Sequence, residues 1–125
     1  MNTSAHLRRA AGLLDTDASL DVIAALYQGA TWILPDAFRT DSDAAIELTK
    51  SSAWAMASIR AVYDTLGAEV TMPDQDGPDE VIDRVSHWAE TAPDTQSQPP
   101  TRTEVIGRLL RTADALDQQA HTHAA

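Results

Sequence analysis

Cysteine is absent, which removes disulfides, thiolate nucleophiles and cysteine-bound zinc together, so redox chemistry is excluded as a function. Aromatic residues make up only 5% of the chain. A core must therefore be assembled from aliphatic side chains, and the abundance of Ala and Leu favours helix over sheet. No stretch comes near the roughly 18 consecutive apolar residues of a membrane span. The first fourteen residues carry Arg8 and Arg9 inside an amphipathic pattern rather than the continuous apolar run of a signal peptide. These readings predict a cytoplasmic protein that does not engage a membrane. Lysine is nearly missing as well: Lys50 stands alone beside heavy use of Ala, Asp, Arg and Thr, a bias that fits a high-GC bacterial or phage genome. The five glycines are dispersed, so no glycine-rich loop exists to cradle a phosphate.

What is abundant is negative charge. The chain of 125 residues carries a formal −10, and its 43% hydrophobic content is enough for one domain with a real core. The charge is unevenly placed. Between residues 69 and 94, eight acids (Glu69, Asp74, Asp76, Asp79, Glu80, Asp83, Glu90 and Asp94) stand against Arg84 alone, which gives that fifth of the chain −7. Such a surface repels nucleic acid and membrane phosphates and attracts a basic partner. Direct nucleic-acid binding is not expected, and a protein partner is; the acidic segment reads either as the face that draws a basic one or as a solubilising face.

The clearest architectural signal lies in residues 41–67. Leu48, Ser52, Ala55, Ile59, Val62 and Leu66 recur in steps of four and three, the spacing of a packed helical seam. Asp41 and Ser42 offer capping oxygens at one end, and Gly67 stands where a left-handed residue closes the other. The pattern predicts one long central helix over about 41–66, spanning roughly 37 Å at 1.5 Å per residue. Its opposite side groups Ala53, Trp54, Ala57 and Ala61, small residues that let another helix approach closely beside one large ring. That side packs either within the bundle or against a second copy in a homodimer. Trp54, Ala57 and Ala61 are accordingly candidate partner-binding residues, together with Asp76, Asp79 and Asp83 of the acidic segment.

Flanking elements follow the same logic. A first helix from Thr3 or Ser4 to about Leu14 and a second to about Tyr27, closed by Gly29, are predicted to form a hairpin. The apolar run Thr31-Trp32-Ile33-Leu34 before Pro35 reads as a buried connector that packs Trp32 and Leu34 under the bundle, with an exposed sticky patch as the alternative. Pro78 opens a helix with Val81, Ile82, Val85, Trp88 and Ala89 on its buried face. Residues 91–100 read as a flexible linker between a helical core domain, 1–90, and a carboxy-terminal helix, 101–125. That helix opens on the capping box Thr101…Glu104 and packs on the same domain or on a second copy, with a tail fraying from Gln118.

The residues that carry chemistry do not assemble. Asp74-Gln75-Asp76-Gly77 with Asp83 matches several positions of a calcium loop, but Met72 then occupies the first position, where a carboxylate is required. His121 and His123 have no third ligand beside them, and His87 pairs with Asp83 one turn earlier. The second helix carries Asp17 and Asp21 and no basic residue, so it cannot read DNA. No catalytic, cofactor-binding or metal-binding residue is assigned. The expectation is an all-α bundle of about five helices and a non-catalytic interaction or regulatory protein, acting through its acidic segment and an apolar helix face. Two alternatives stand beside it: a small-molecule site between Trp32, Trp54 and Trp88, and a phage-type inhibitor whose acidic surface imitates nucleic acid.

Overall fold

The computed structural model describes residues 2–67, 70–91 and 98–124. Seven helices appear among them: α1 (Thr3–Thr16), α2 (Val22–Thr31), α3 (Ala37–Thr40), α4 (Ser42–Ser51), α5 (Ala53–Tyr63), α6 (Pro78–Glu90) and α7 (Arg102–Ala124). The described residues contain no strand, and the small all-α bundle is as the composition requires.

The single long helix is not formed. It breaks at Ser52, whose backbone is extended at φ −100° and ψ 108° and ends α4 while it caps α5. The reason is local. Ser51 Oγ donates to the Leu48 carbonyl at 2.8 Å, and Ser52 Oγ accepts the Ala55 amide at 3.2 Å, so paired serines give the backbone an alternative to continuing the ladder. Asp41 caps α4 at the Ala44 amide as its side chain suggests, at 3.1 Å. Gly67 adopts the expected left-handed φ of 86°. The break lets α4 turn toward α3 and α6 while Ala55, Ile59 and Val62 of α5 stay fully buried.

A second correction concerns Gly29, which does not close α2 but lies buried inside it, two residues before the end. A Cβ there would sit 2.7 Å from the His6 carbonyl oxygen and 2.9 Å from the Ala10 amide. Glycine is needed because α1 and α2 cross backbone to backbone at this point. Leu7, Ala10, Ala11 and Leu14 of α1 meet Ala24, Ala25 and Leu26 of α2 in the core around that crossing.

The last helix lies along α1 in the same chain, where Val105, Leu109 and Ala113 join the core. Polar contacts to distant segments hold it at positions between Arg102 and Asp117. Arg102 donates to the carbonyls of Leu14, Ala18 and Leu20, Arg108 to that of Thr65 at 2.7 Å, and Arg8 pairs with Asp114 and Asp117 at 2.8 and 2.7 Å. The helix continues to Ala124 rather than ending near Gln118. Most of the linker expected over residues 91–100 lies outside the described residues. No described helix is long and apolar enough to cross a membrane.

Candidate interaction surfaces

Where α2 ends, the backbone takes an uncommon course. Trp32 is the C-cap residue, at φ 69° and ψ 0°, and its amide donates to the Gln28 carbonyl at 2.8 Å. It is the one non-glycine residue with positive φ among those described, a conformation that is disfavoured for a bulky side chain. This turn sends the following residues outward. Trp32 is 72% exposed and Ile33 63% exposed, while Leu34 returns to pack against the core. The connector is therefore the exposed patch, and the expectation that Trp32 is buried under the bundle is overturned.

The Trp32 ring does not hang free. The Arg9 guanidinium lies 3.4 Å from its centroid and also donates to the Gly29 carbonyl. One turn earlier on α1, the His6 ring sits 6.1 Å from that of Trp54, tilted by 49°. His6 and Arg9 thus link the two tryptophans in a row across α1, because residues three apart share a helix side. Trp54, in the first turn of α5, is 48% exposed. Ala53 and Ala57 beside it are exposed, and Ala61 is partly buried against the core. His6 itself is buried, with no partner for Nδ1 among the described residues. Burial, and then the neighbouring Arg9, push its pKa below the usual histidine value.

The three acidic candidates separate. Asp76 turns inward: its side chain is 3% exposed and accepts from Tyr63 Oη at 2.7 Å, Arg84 Nε at 2.6 Å and the Met72 amide at 3.1 Å. The Tyr63 hydroxyl bond, with the Met72 amide and Arg84, holds this carboxyl below the ordinary range against the opposing effect of burial. Burial and the adjacent carboxylate raise Tyr63 in turn. With Arg84 also donating to the Val70 carbonyl at 2.9 Å, the cluster ties the loop before α6 onto α5. It is a structural lock, and Asp76 is not presented to a partner. Asp79 and Asp83 remain on the outer side of α6. Asp79 pairs with Lys50 at 2.9 Å, and Lys50 also reaches Glu47 at 2.9 Å. Asp83 has no hydrogen-bond partner among the described residues: the pairing with His87 expected from their spacing is not formed, and His87 Nδ1 lies 3.4 Å from Thr91 Oγ1 instead.

Beside these two carboxylates runs a cleft of about 230 Å³ between α2, α3, α4 and α6. Ile23, Phe38, Ile46 and Ile82 form its apolar walls, and Asp21, Asp79 and Asp83 stand at its edge. A second depression, of about 340 Å³, lies where Arg102 clamps the loop between α1 and α2. Neither depression is lined by a tryptophan. Trp32 rests on Arg9, Trp54 on His6, and Trp88 of α6 faces Arg108 of α7 at 5.6 Å. Among the described residues no group of three or more His, Asp or Glu is placed to hold a metal. The loop read against a calcium pattern has Asp76 bound to Tyr63 and Arg84 instead.

The sequence pointed to Trp54, Ala57, Asp79 and Asp83, and all four lie on the outer surface. It read the Trp32–Leu34 run as a connector packed inward through Trp32 and Leu34; Leu34 packs there, and Trp32 and Ile33 lie outside. The signal that could have placed them outside is their position between a helix end and Pro35, where two large apolar residues have little chain on either side with which to be covered. No protein-family model, curated protein or solved structure matches the chain.

Proposed function

We propose that this chain is a non-catalytic interaction protein that pairs with a second copy through the face formed by Trp32, Ile33, Trp54 and Ala57. On this reading its acidic α6 side is left free for another protein. Trp32 carries the reading. A bulky residue in the left-handed region costs on the order of 1–2 kcal/mol, while stacking on the partly buried Arg9, with the ring's other side facing water, returns about 0.5–1 kcal/mol. The ring remains 72% exposed, so burial within the monomer contributes little to the difference. Burial against a partner would supply it, and Trp and Arg are the residue types that dominate contact energies at protein interfaces.

A second copy is the partner favoured by the composition of the face. Its large side chains are neutral and its cation, Arg9, lies under a ring. The chain's negative charge is concentrated instead on residues 69–94, so self-repulsion is weakest where the tryptophans stand. Alanines next to a projecting ring also give one surface both a knob and a shallow seat, as a two-fold interface requires. The absence of cysteine fits a reducing cytoplasm.

Sedimentation equilibrium provides the test. The wild type is expected to be dimeric, and Trp32→Ala and Trp54→Ala each to shift the mass toward the monomer with an unchanged helical circular dichroism spectrum. A wild type that stays monomeric into the high micromolar range would overturn the proposal.

A further inference from the structure

We infer that the cleft between α2, α3, α4 and α6 is a docking site for a basic segment of another protein, a segment that presents one bulky aliphatic side chain between arginines or lysines. The argument starts from size. At about 230 Å³ the cleft is smaller than the roughly 300–1,000 Å³ of sites that enclose a small organic ligand, and it is open along one side. It suits a single anchoring side chain rather than a whole molecule.

Its chemistry is divided by depth. Ile23, Phe38 and Ile46 are only partly buried on the walls, with Ile82 behind them, so apolar surface stays accessible inside the cleft. Every charged residue lining the cleft is an acid: Asp21, Asp79 and Asp83. Two of them already have tasks. Asp21 caps α2 at the Ala24 amide at 2.7 Å, and Asp79 holds Lys50 at 2.9 Å. Asp83 has no partner among the described residues. A guanidinium entering beside the apolar anchor would meet Asp83 first and share Asp79 with Lys50, in the bidentate manner that distinguishes arginine from a point charge.

The wider field acts in the same direction. Along α6 Asp79, Glu80, Asp83 and Glu90 stand against Arg84, whose charge is taken up by Asp76, and this excess of acid steers a cationic chain toward the cleft and raises its association rate at low salt. This complementarity is what selects a basic protein segment over a neutral or acidic one. An amphipathic helix laid into a groove is the known form of such recognition. The cleft shares no lining residue with the tryptophan face, so it stays open whether or not the chain pairs with itself.

Three synthetic peptides test the inference on the full-length protein: an amphipathic helix with leucines on one side and arginines beside them, the same peptide with arginines replaced by glutamine, and an oligoarginine of equal charge. Binding is followed by titration calorimetry, and its location by methyl NMR of Ile23, Ile46 and Ile82. The first peptide is expected to bind, to shift those methyl signals and to weaken steeply with added salt. Asp79→Asn combined with Asp83→Asn should reduce its affinity by about tenfold, the effect of two partly exposed charge contacts. Binding that is equally tight in the double variant overturns the role of the rim. Oligoarginine binding as tightly as the amphipathic peptide, without methyl shifts, overturns the role of the cleft. The same titration on Trp54→Ala separates this inference from the proposed self-association, because peptide binding should survive there even if the mass changes or proves monomeric from the start.

Discussion

Replacing glycine by alanine should have opposite effects at two positions in the first helical hairpin, and the pair isolates the α1–α2 crossing. Gly12 lies on the exposed side of α1 with no atom within 4 Å of a Cβ built there. Alanine at this site should simply recover helix propensity, about 0.5–1 kcal/mol. Gly29 gains the same propensity but forces the new methyl to within 2.7 Å of the His6 carbonyl oxygen, 2.9 Å of the Ala10 nitrogen and 3.0 Å of the Ala10 Cβ. Two of those atoms are backbone and cannot rotate away, so the helices must move apart. Overpacking of a tight contact costs about 1–3 kcal/mol; taking the upper end and subtracting about 1 kcal/mol of propensity leaves a net loss near 2 kcal/mol. A chain of this size shifts its melting temperature by roughly 3–6 °C per kcal/mol. Gly29→Ala should therefore melt about 6–12 °C lower, and Gly12→Ala a few degrees higher. Urea denaturation with an unchanged m-value would confirm that stability alone has changed. Because Gly29 also accepts from Arg9 beneath Trp32, the tryptophan emission should change in the first variant only. A Gly29→Ala protein as stable as the wild type would refute the close crossing.

Two further outcomes follow from the same contacts. His6 has its pKa lowered in the fold from the ordinary 6.5 by burial and by Arg9, so as pH falls below that value the unfolded chain takes up a proton first. Its contribution is complete above pH 6.5 and is lost on acidification until the folded ring also protonates, whereas the carboxylates held low, Asp17, Asp76 and Asp117, lose theirs only below the ordinary 3.8. Urea titrations between pH 7 and 5 should show falling stability in the wild type and a flatter profile in His6→Phe; identical profiles would remove His6 as the cause. Ser52→Ala deletes the oxygen that caps α5 and should lower stability by about 1 kcal/mol in the same assay, while an increase would mean that the chain prefers the unbroken helix.

Fold class was legible because it depends on composition and periodicity, which act along the chain. Ala55, Ile59 and Val62 were recognisable as a buried seam from their spacing, and Pro78 and the Thr101–Glu104 pair marked helix starts through backbone chemistry that involves only near neighbours. The misreadings share one origin, a local signal outweighed by a contact with a distant segment or by a subtler local competitor. Gly29 resembled a helix terminator, but its role is set by α1 passing against it. Ser52 fitted the heptad step, yet its hydroxyl offered the backbone a cap that periodicity does not register. Asp76 belonged to an acidic stretch, and only the fold shows Tyr63 and Arg84 closing on it. Trp32 reads inward because apolar residues usually are, and only the fold shows the left-handed turn that exposes it and sets its ring against Arg9, 23 positions earlier.

The central claim, that the tryptophan face meets a second copy of the chain, can be read directly from the three tryptophans themselves. With 5-fluorotryptophan incorporated and each resonance assigned by a Trp→Phe substitution, fluorine NMR spectra recorded over a dilution series report on each ring separately. Trp32 and Trp54 lie on the exposed face, and Trp88 is packed between α6 and α7 next to Arg108. The account predicts that the Trp32 and Trp54 signals shift or broaden together as concentration rises while that of Trp88 stays fixed. Three signals that do not depend on concentration, or movement of Trp88 alone, would contradict it.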